Sequence, residues 1–293
     1  MSCLAALLLP RRWCEARVYQ AHLVSGIATP NPMPGTAPLD VLPLWALFLA
    51  LVLANLLADE GGFRVGHFRA RREHKEGDAT VGAIVAAELG LLAFLLAFSF
   101  NLAASRFDAR RHTLVDEANA IGTTFLRAAM LPEAQGGPVR QLLRDYADMR
   151  LAPTRGAPID EVLRRSEEIH QRLWAEAIVA AEHDPRSLPT SLFIQSLNNV
   201  IDMHATRVLA VLRSRLPLPV WTILIAVSLL SFFTMGYQAG LTRASRSPAV
   251  VVLALTFGAV IWLIANLDRP GEGFLRVNQE PMIDVRRMMN TAP

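Results

Sequence analysis

The stretch TVGAIVAAELGLLAFLLAFSFNLAASRF, Thr80 to Phe107, runs straight on into DARRHTLVDEANAIGTTFLRAAML, Asp108 to Leu131. The first half has the composition of a membrane span and the second half is charged. No proline interrupts the whole, and Gly82, Gly90 and Gly122 stand singly. At about 1.5 Å per residue, a helix of this length is more than twice as long as a hydrocarbon core of about 30 Å is thick. The stretch therefore predicts a rod that leaves the bilayer and continues into water. Phe107, Leu114, Ala118, Ile121, Phe125 and Ala128 recur at helical spacing along the wet part, so that part still needs partner helices.

The rest of the chain supplies them. Val41 to Leu57 reads as a first span, followed by a charged connector from Asp59 to Asp78. After the rod, Leu131-Pro132 and QGGP predict a break, then a helix over Val139 to Leu151 with Leu142, Leu143, Tyr146 and Met149 on one face. A further helix begins at Pro158 and ends before Asp184-Pro185, and a fourth covers Thr190 to Arg215 with Phe193, Leu197, Val200, His204 and Val208 on one side. Pro217 and Pro219 mark re-entry into the bilayer. Val220 to Leu241 and Pro248 to Leu267 are the third and fourth spans.

The expected architecture is all-α, with four transmembrane helices and an extramembrane helical bundle inserted between spans two and three. Its parts are a disordered extension over 1–40, a hairpin of spans over 41–105, the bundle over 106–215, a second hairpin over 216–267 and a polar tail over 268–293.

Composition agrees with the membrane class: 52% of the 293 residues are hydrophobic and 19% charged. The formal charge of +3 is carried almost wholly by arginine, Lys75 being the single lysine. No basic run is interleaved with aromatics, which excludes a nucleic-acid footprint. Cys3 and Cys14 lie in the extension, away from any core, so no disulfide framework is expected. The early apolar run precedes its arginines, the reverse of a signal peptide. Walker, dinucleotide-binding, nucleophile-elbow and zinc-protease motifs are all missing, so neither a catalytic residue nor a cofactor is expected. His112, Asp116 and Glu117 lie close along the rod, but no second cluster at ligand spacing joins them, and no metal is expected.

Three groups of residues stand out. Phe94, Phe98, Asn101 and Ser105 share one side of the second span, because steps of four, three and four residues stay in line. They suit a dewetting constriction above a polar vestibule, or ordinary lipid-facing packing. Glu88 is a carboxyl inside a span, about 120° around the helix from Phe94, so it faces a neighbouring helix and not the same axis. Glu117 and Asn119 read as hydrogen-bonding groups of the bundle, and Asp268 with Arg269 as a helix end before the Pro270-Gly271 turn.

The order of spans and bundle, with EANAIG at Glu117 to Gly122 and LDRPGEGFLRVNQEP at Leu267 to Pro281, resembles the bestrophin-like family of membrane proteins. The likeness runs from the first span to the tail and marks Glu117, Asn119, Gly122, Asp268 and Pro270 as family-motif residues. More distantly, Phe98, Asn101 and Arg106-Phe107 resemble the end of the pore-lining helix of bestrophin anion channels. There Gly90, Ser105 and Asp108 depart from the bulky or aromatic residues that family carries.

The resemblance implies a homo-oligomer in the lipid bilayer, with Phe94 and Phe98 as a pore neck, Asn101 below it and inorganic anions passing. A multi-pass protein of the bacterial inner membrane is the matching location. The alternative, equally compatible with bulk sequence features, is a non-conducting adaptor or sensor whose bundle docks a partner.

Overall fold

The computed structural model describes residues 42–72, 78–212, 215–244, 247–269 and 275–291. The expected N-terminal extension, with both cysteines, and Pro270 lie outside them. Among the described residues the regular elements are helices: α1 (Leu44–Arg72), α2 (Asp78–Ala128), α3 (Glu133–Leu151), α4 (Ile159–His183), α5 (Leu188–Leu212), α6 (Leu218–Leu241), α7 (Ala249–Asp268) and α8 (Glu280–Thr291). A short 3₁₀ turn, Ala152–Arg155, joins α3 to α4.

Helices α1, α2, α6 and α7 are each long and apolar enough to cross a bilayer. The protein is an integral membrane protein of the all-α class. Helix α2 is the rod: its 51 residues are unbroken from the first span-forming residues through EANAIG, about 76 Å at helical rise.

The wet half of α2 packs with α3, α4 and α5 around Leu114, Ile121, Phe125, Leu143, Tyr146, Leu173, Phe193 and Leu197, all fully buried. Helix α5 runs antiparallel to the rod. Arg127, near the rod's end, donates to the carbonyl of Leu192 at 2.8 Å, while Glu117, ten residues earlier, pairs with Arg207 near the other end of α5. Ser187 caps α5, its Oγ accepting from the Thr190 N–H at 3.3 Å.

Three sequence expectations are corrected. The connector from Asp59 is mostly a continuation of α1, which stays helical to Arg72. Its glycines are the reason. Gly62 and Gly66 on α1 face Gly236 and Gly240 on α6, so closely that an added Cβ would lie 1.9 Å from the Phe233 oxygen at Gly62 and 2.0 Å from the Asp59 oxygen at Gly236. Two four-residue glycine pairs let parallel helices meet backbone to backbone, a packing well suited to a membrane. Each glycine weakens an isolated helix by about 1 kcal/mol, and the contact with α6 overrides that preference.

QGGP is helical as well, since α3 begins at Glu133 and contains Pro138. Gly136 makes this possible by lying against the end of the rod, where a Cβ would stand 2.9 Å from the Ala128 oxygen. Finally, the tail is not merely polar. Helix α8 buries Met282 and Met289 completely in the bundle core and clips Arg286 to Asp148 through two bonds of 2.8 and 2.9 Å.

Candidate functional site

The second span presents two unlike faces. Val85, Leu92, Leu96, Ser99 and Ala103 are buried against the other spans. On the opposite side, Phe94 is 65% and Phe98 55% exposed, and Asn101 and Ser105 are exposed below them. No described helix of this chain covers this face, although it carries two phenyl rings. An amide and a hydroxyl follow the rings, so the face passes from apolar to polar as the rod approaches its wet half.

Glu88 points elsewhere. It accepts a hydrogen bond from the Thr234 hydroxyl of α6. Six residues earlier on α6, the Ser228 hydroxyl donates to Asn55 Oδ1 of α1 at 3.1 Å, both groups being buried. These two contacts match polar groups helix to helix, which lowers the cost of placing them in hydrocarbon, while Asn55 Nδ2 is buried with no hydrogen-bond partner among the described residues.

The family-motif residues come together in the bundle. Glu117 is fully buried. Its Oε1 accepts from the Tyr146 hydroxyl at 2.7 Å and lies 2.9 Å from Arg150 Nε. Its Oε2 accepts from Arg150 Nη2 at 3.2 Å and from Arg207. Arg207 also donates to Gln279 Oε1 at 3.2 Å. The EANAIG and NQEP motifs, far apart in sequence, are therefore joined through one arginine. Asn278 of NQEP caps α8, its side-chain oxygen accepting the Glu280 N–H at 3.0 Å. Gly122 lies beneath α8, where a Cβ would meet Met288 Cε at 3.4 Å.

One motif residue behaves differently from its sequence reading. Asn119 is exposed and is not among the buried hydrogen-bonding groups of the bundle. Two helical steps from Glu117 rotate it about 200°, so the pair cannot both face the core. Helix α7 ends at Asp268 with Arg269 as its C-cap, as its sequence indicates, and the Asp268 side chain adds a tie beyond its own helix. Its Oδ1 accepts the Leu216 N–H at 2.7 Å, tying the end of α7 to the chain entering α6. Buried Arg110 of the rod donates to the Leu267 and Asp268 carbonyls, a cation at a helix C-terminus. His112 and Asp116 face outward while Glu117 faces inward, so these three do not share a site.

Two buried histidines complete the interior. His204 Nδ1 lies 3.2 Å from the Tyr146 oxygen. The His170 ring stands edge-on to His204 at 4.9 Å and tilted against Tyr146 at 4.8 Å. Burial, aided by the nearby Arg150 guanidinium, lowers His170 to about 4 and His204 to about 3. Burial and the Glu117 carboxylate push the Tyr146 phenol well above 10. All three rings are thus neutral near pH 7.

Sequence periodicity finds Tyr146 and His204 only as members of apolar faces. Arg150, His170 and Arg207 escape it, since each lies dozens of residues from its partner. The available signal is a polar side chain recurring on an otherwise apolar stripe.

Residues 46–282 match the Bestrophin-like domain. Solved chains with a similar fold include two single-substitution variants of a bacterial bestrophin homolog from Klebsiella pneumoniae. Each has a TM-score of 0.61 and 16% identity, covering 83% of this chain and 96% of that one. A further chain described only as a membrane protein has a TM-score of 0.56 and 16% identity, over 84% of this chain and 98% of its own. No curated protein matches in sequence. At this identity the solved chains speak to the fold alone.

Proposed function

We propose, for a chain that belongs to the bestrophin-like family, an oligomeric ion channel of the bacterial inner membrane whose path is lined by α2. The observation that carries this reading is the uncovered face of α2. Phe94 and Phe98 lie in line with Asn101 and Ser105, away from every described neighbour in the chain. A ring of copies arranged about that face stacks phenyl groups into a dry neck above polar side chains. The barrier in such a neck is desolvation, since phenyl rings replace an ion's hydration poorly. The family's likeness to bestrophin anion channels nominates inorganic anions as the permeant class. Helical spans with their backbone bonds satisfied internally suit an inner membrane. The reading uses no catalytic residue, metal or cofactor.

The test is halide flux from liposomes holding the pure protein, beside its melting temperature in detergent. Both Phe94 and Phe98 are more than half exposed, so Phe94→Ala with Phe98→Ala removes little packing within the chain. The double variant should keep its melting temperature within a few degrees and raise basal flux several-fold. A destabilised and silent variant ends the neck reading. Absence of flux from both proteins overturns the channel.

A second reading has one specific support. At the bundle end far from the spans, Leu126, Met130 and Leu188 are exposed by 56%, 54% and 68%. A non-conducting adaptor that docks a partner through the bundle fits such a surface, and it forecasts no flux.

A further inference from the structure

We infer that the bundle interior is a proton-operated latch: charging the His170–His204 pair breaks the tie between Arg207 and Gln279 at the root of α8. The inference concerns the bundle itself and stands whether or not the spans conduct.

The Tyr146 phenol has one proton, and the bond of 2.7 Å to the Glu117 carboxylate takes it. The contact of 3.2 Å between Tyr146 and His204 Nδ1 therefore requires the ring to donate. His204 is held as the Nδ1–H tautomer, and an added proton goes to its other nitrogen. His170 Nε2 is buried and makes no hydrogen bond among the described residues.

The charged and titratable groups facing the two rings come from each packed helix. They are Glu117 of α2, Tyr146 and Arg150 of α3, His170 of α4, and His204 and Arg207 of α5. With neutral rings, two guanidinium groups face one carboxylate.

That carboxylate is already shared between two cations. Its Oε1 accepts from Tyr146 and stands 2.9 Å from Arg150 Nε, an ion contact without a hydrogen bond, while its Oε2 accepts from Arg150 Nη2 and Arg207. A carboxylate offers about four acceptor positions, and the one these three bonds leave is crowded by the Arg150 guanidinium. An imidazolium arriving here meets two like charges whose single counter-ion is already shared, in an interior of low dielectric. The least enclosed wall yields. Arg207, with 11% side-chain exposure, is the more open of the two arginines, and its other partner is Gln279, next to α8.

The sign follows from linkage. A histidine in the unfolded chain titrates near 6.5, whereas in the fold these two titrate at about 4 and about 3. Between those values the unfolded chain binds more protons, so stability rises with pH. It is complete above about 6.5 and is lost as pH falls toward the folded values. At pH 5 each ring alone lowers the folded-to-unfolded ratio about thirtyfold relative to neutral pH.

The experiment uses the full chain in detergent. It reads melting temperature and amide-exchange protection of Glu280–Thr291 at pH 7.5 and pH 5, with exchange corrected for its intrinsic pH dependence. Wild type should melt several degrees lower at pH 5 and lose at least tenfold of its α8 protection. His170→Phe keeps the ring contacts and removes one titrating group. His204→Asn keeps a donor toward Tyr146 and removes the other. Together they should shrink the loss of protection to less than threefold. If His204→Asn fails to fold, His170→Phe alone should still remove about half of the acid response on a logarithmic scale. An acid response that survives His170→Phe undiminished overturns the latch. So does unchanged α8 protection in wild type at pH 5, because the proton would then act elsewhere.

Discussion

Replacing Glu117 with glutamine removes one negative charge from the bundle interior and leaves its shape almost intact. Tyr146 keeps an acceptor, but Arg150 and Arg207 lose their shared counter-ion. Both are deeply enclosed, with side-chain exposures of 7% and 11%, so solvent screens the stranded charges little. Breaking a buried ion pair from one side costs about 3–5 kcal/mol. For a chain of this size each kcal/mol moves the midpoint by about 2–4 °C. The expected drop is about 6–20 °C. Thermal unfolding in detergent, followed by tryptophan fluorescence, reads it directly, because Trp174 packs against the bundle core.

Coupling gives the sharper check. Arg207→Gln alone loses its bonds to Glu117 and Gln279. In the double variant Glu117→Gln with Arg207→Gln, one of the two stranded cations is gone, so the combined loss should fall short of the sum by about 1–3 kcal/mol. A single-variant loss below about 1 kcal/mol, or strictly additive losses, refutes the claim that this carboxylate neutralises the interior.

Two further outcomes follow from the packing. Gly236→Val places a branched side chain against the Asp59 backbone oxygen, already only 2.0 Å from an added Cβ. The α1–α6 contact should part, with low folded yield and a midpoint lower by more than about 10 °C, while Gly61→Ala, with nothing within 4 Å of its Cβ, should hold or slightly raise it; equal melting of the two variants contradicts the glycine contact. Arg286→Ala removes a paired bond to Asp148 that is partly open to solvent, so the expected loss is about 1 kcal/mol, seen as faster exchange in α8 with the spans unchanged.

The spans and bundle are local features, and sequence states local features directly. A run of apolar residues exceeds the bilayer thickness or it does not, and helical periodicity from Leu114 to Phe125 identifies a buried stripe before its partners are known. The length of the rod, the antiparallel return of α5 and the common face of Phe94, Phe98 and Asn101 were therefore legible. Rotation about α2 also separated Glu88 from that face. The EANAIG and NQEP motifs could be recognised, but what joins them could not, because Arg207 lies 90 residues from Glu117 and 72 from Gln279. In the same way, Gly62, Gly66, Gly236 and Gly240 look like helix breakers one at a time. Their effect depends on how closely α1 and α6 approach, and a backbone-to-backbone contact reverses the local penalty. Hydropathy and period, which depend on neighbours a few residues apart, determined the fold class from sequence alone. Charge neutralisation in the bundle and the meeting of glycine faces depend on distances across the molecule, and the tertiary structure alone decided them.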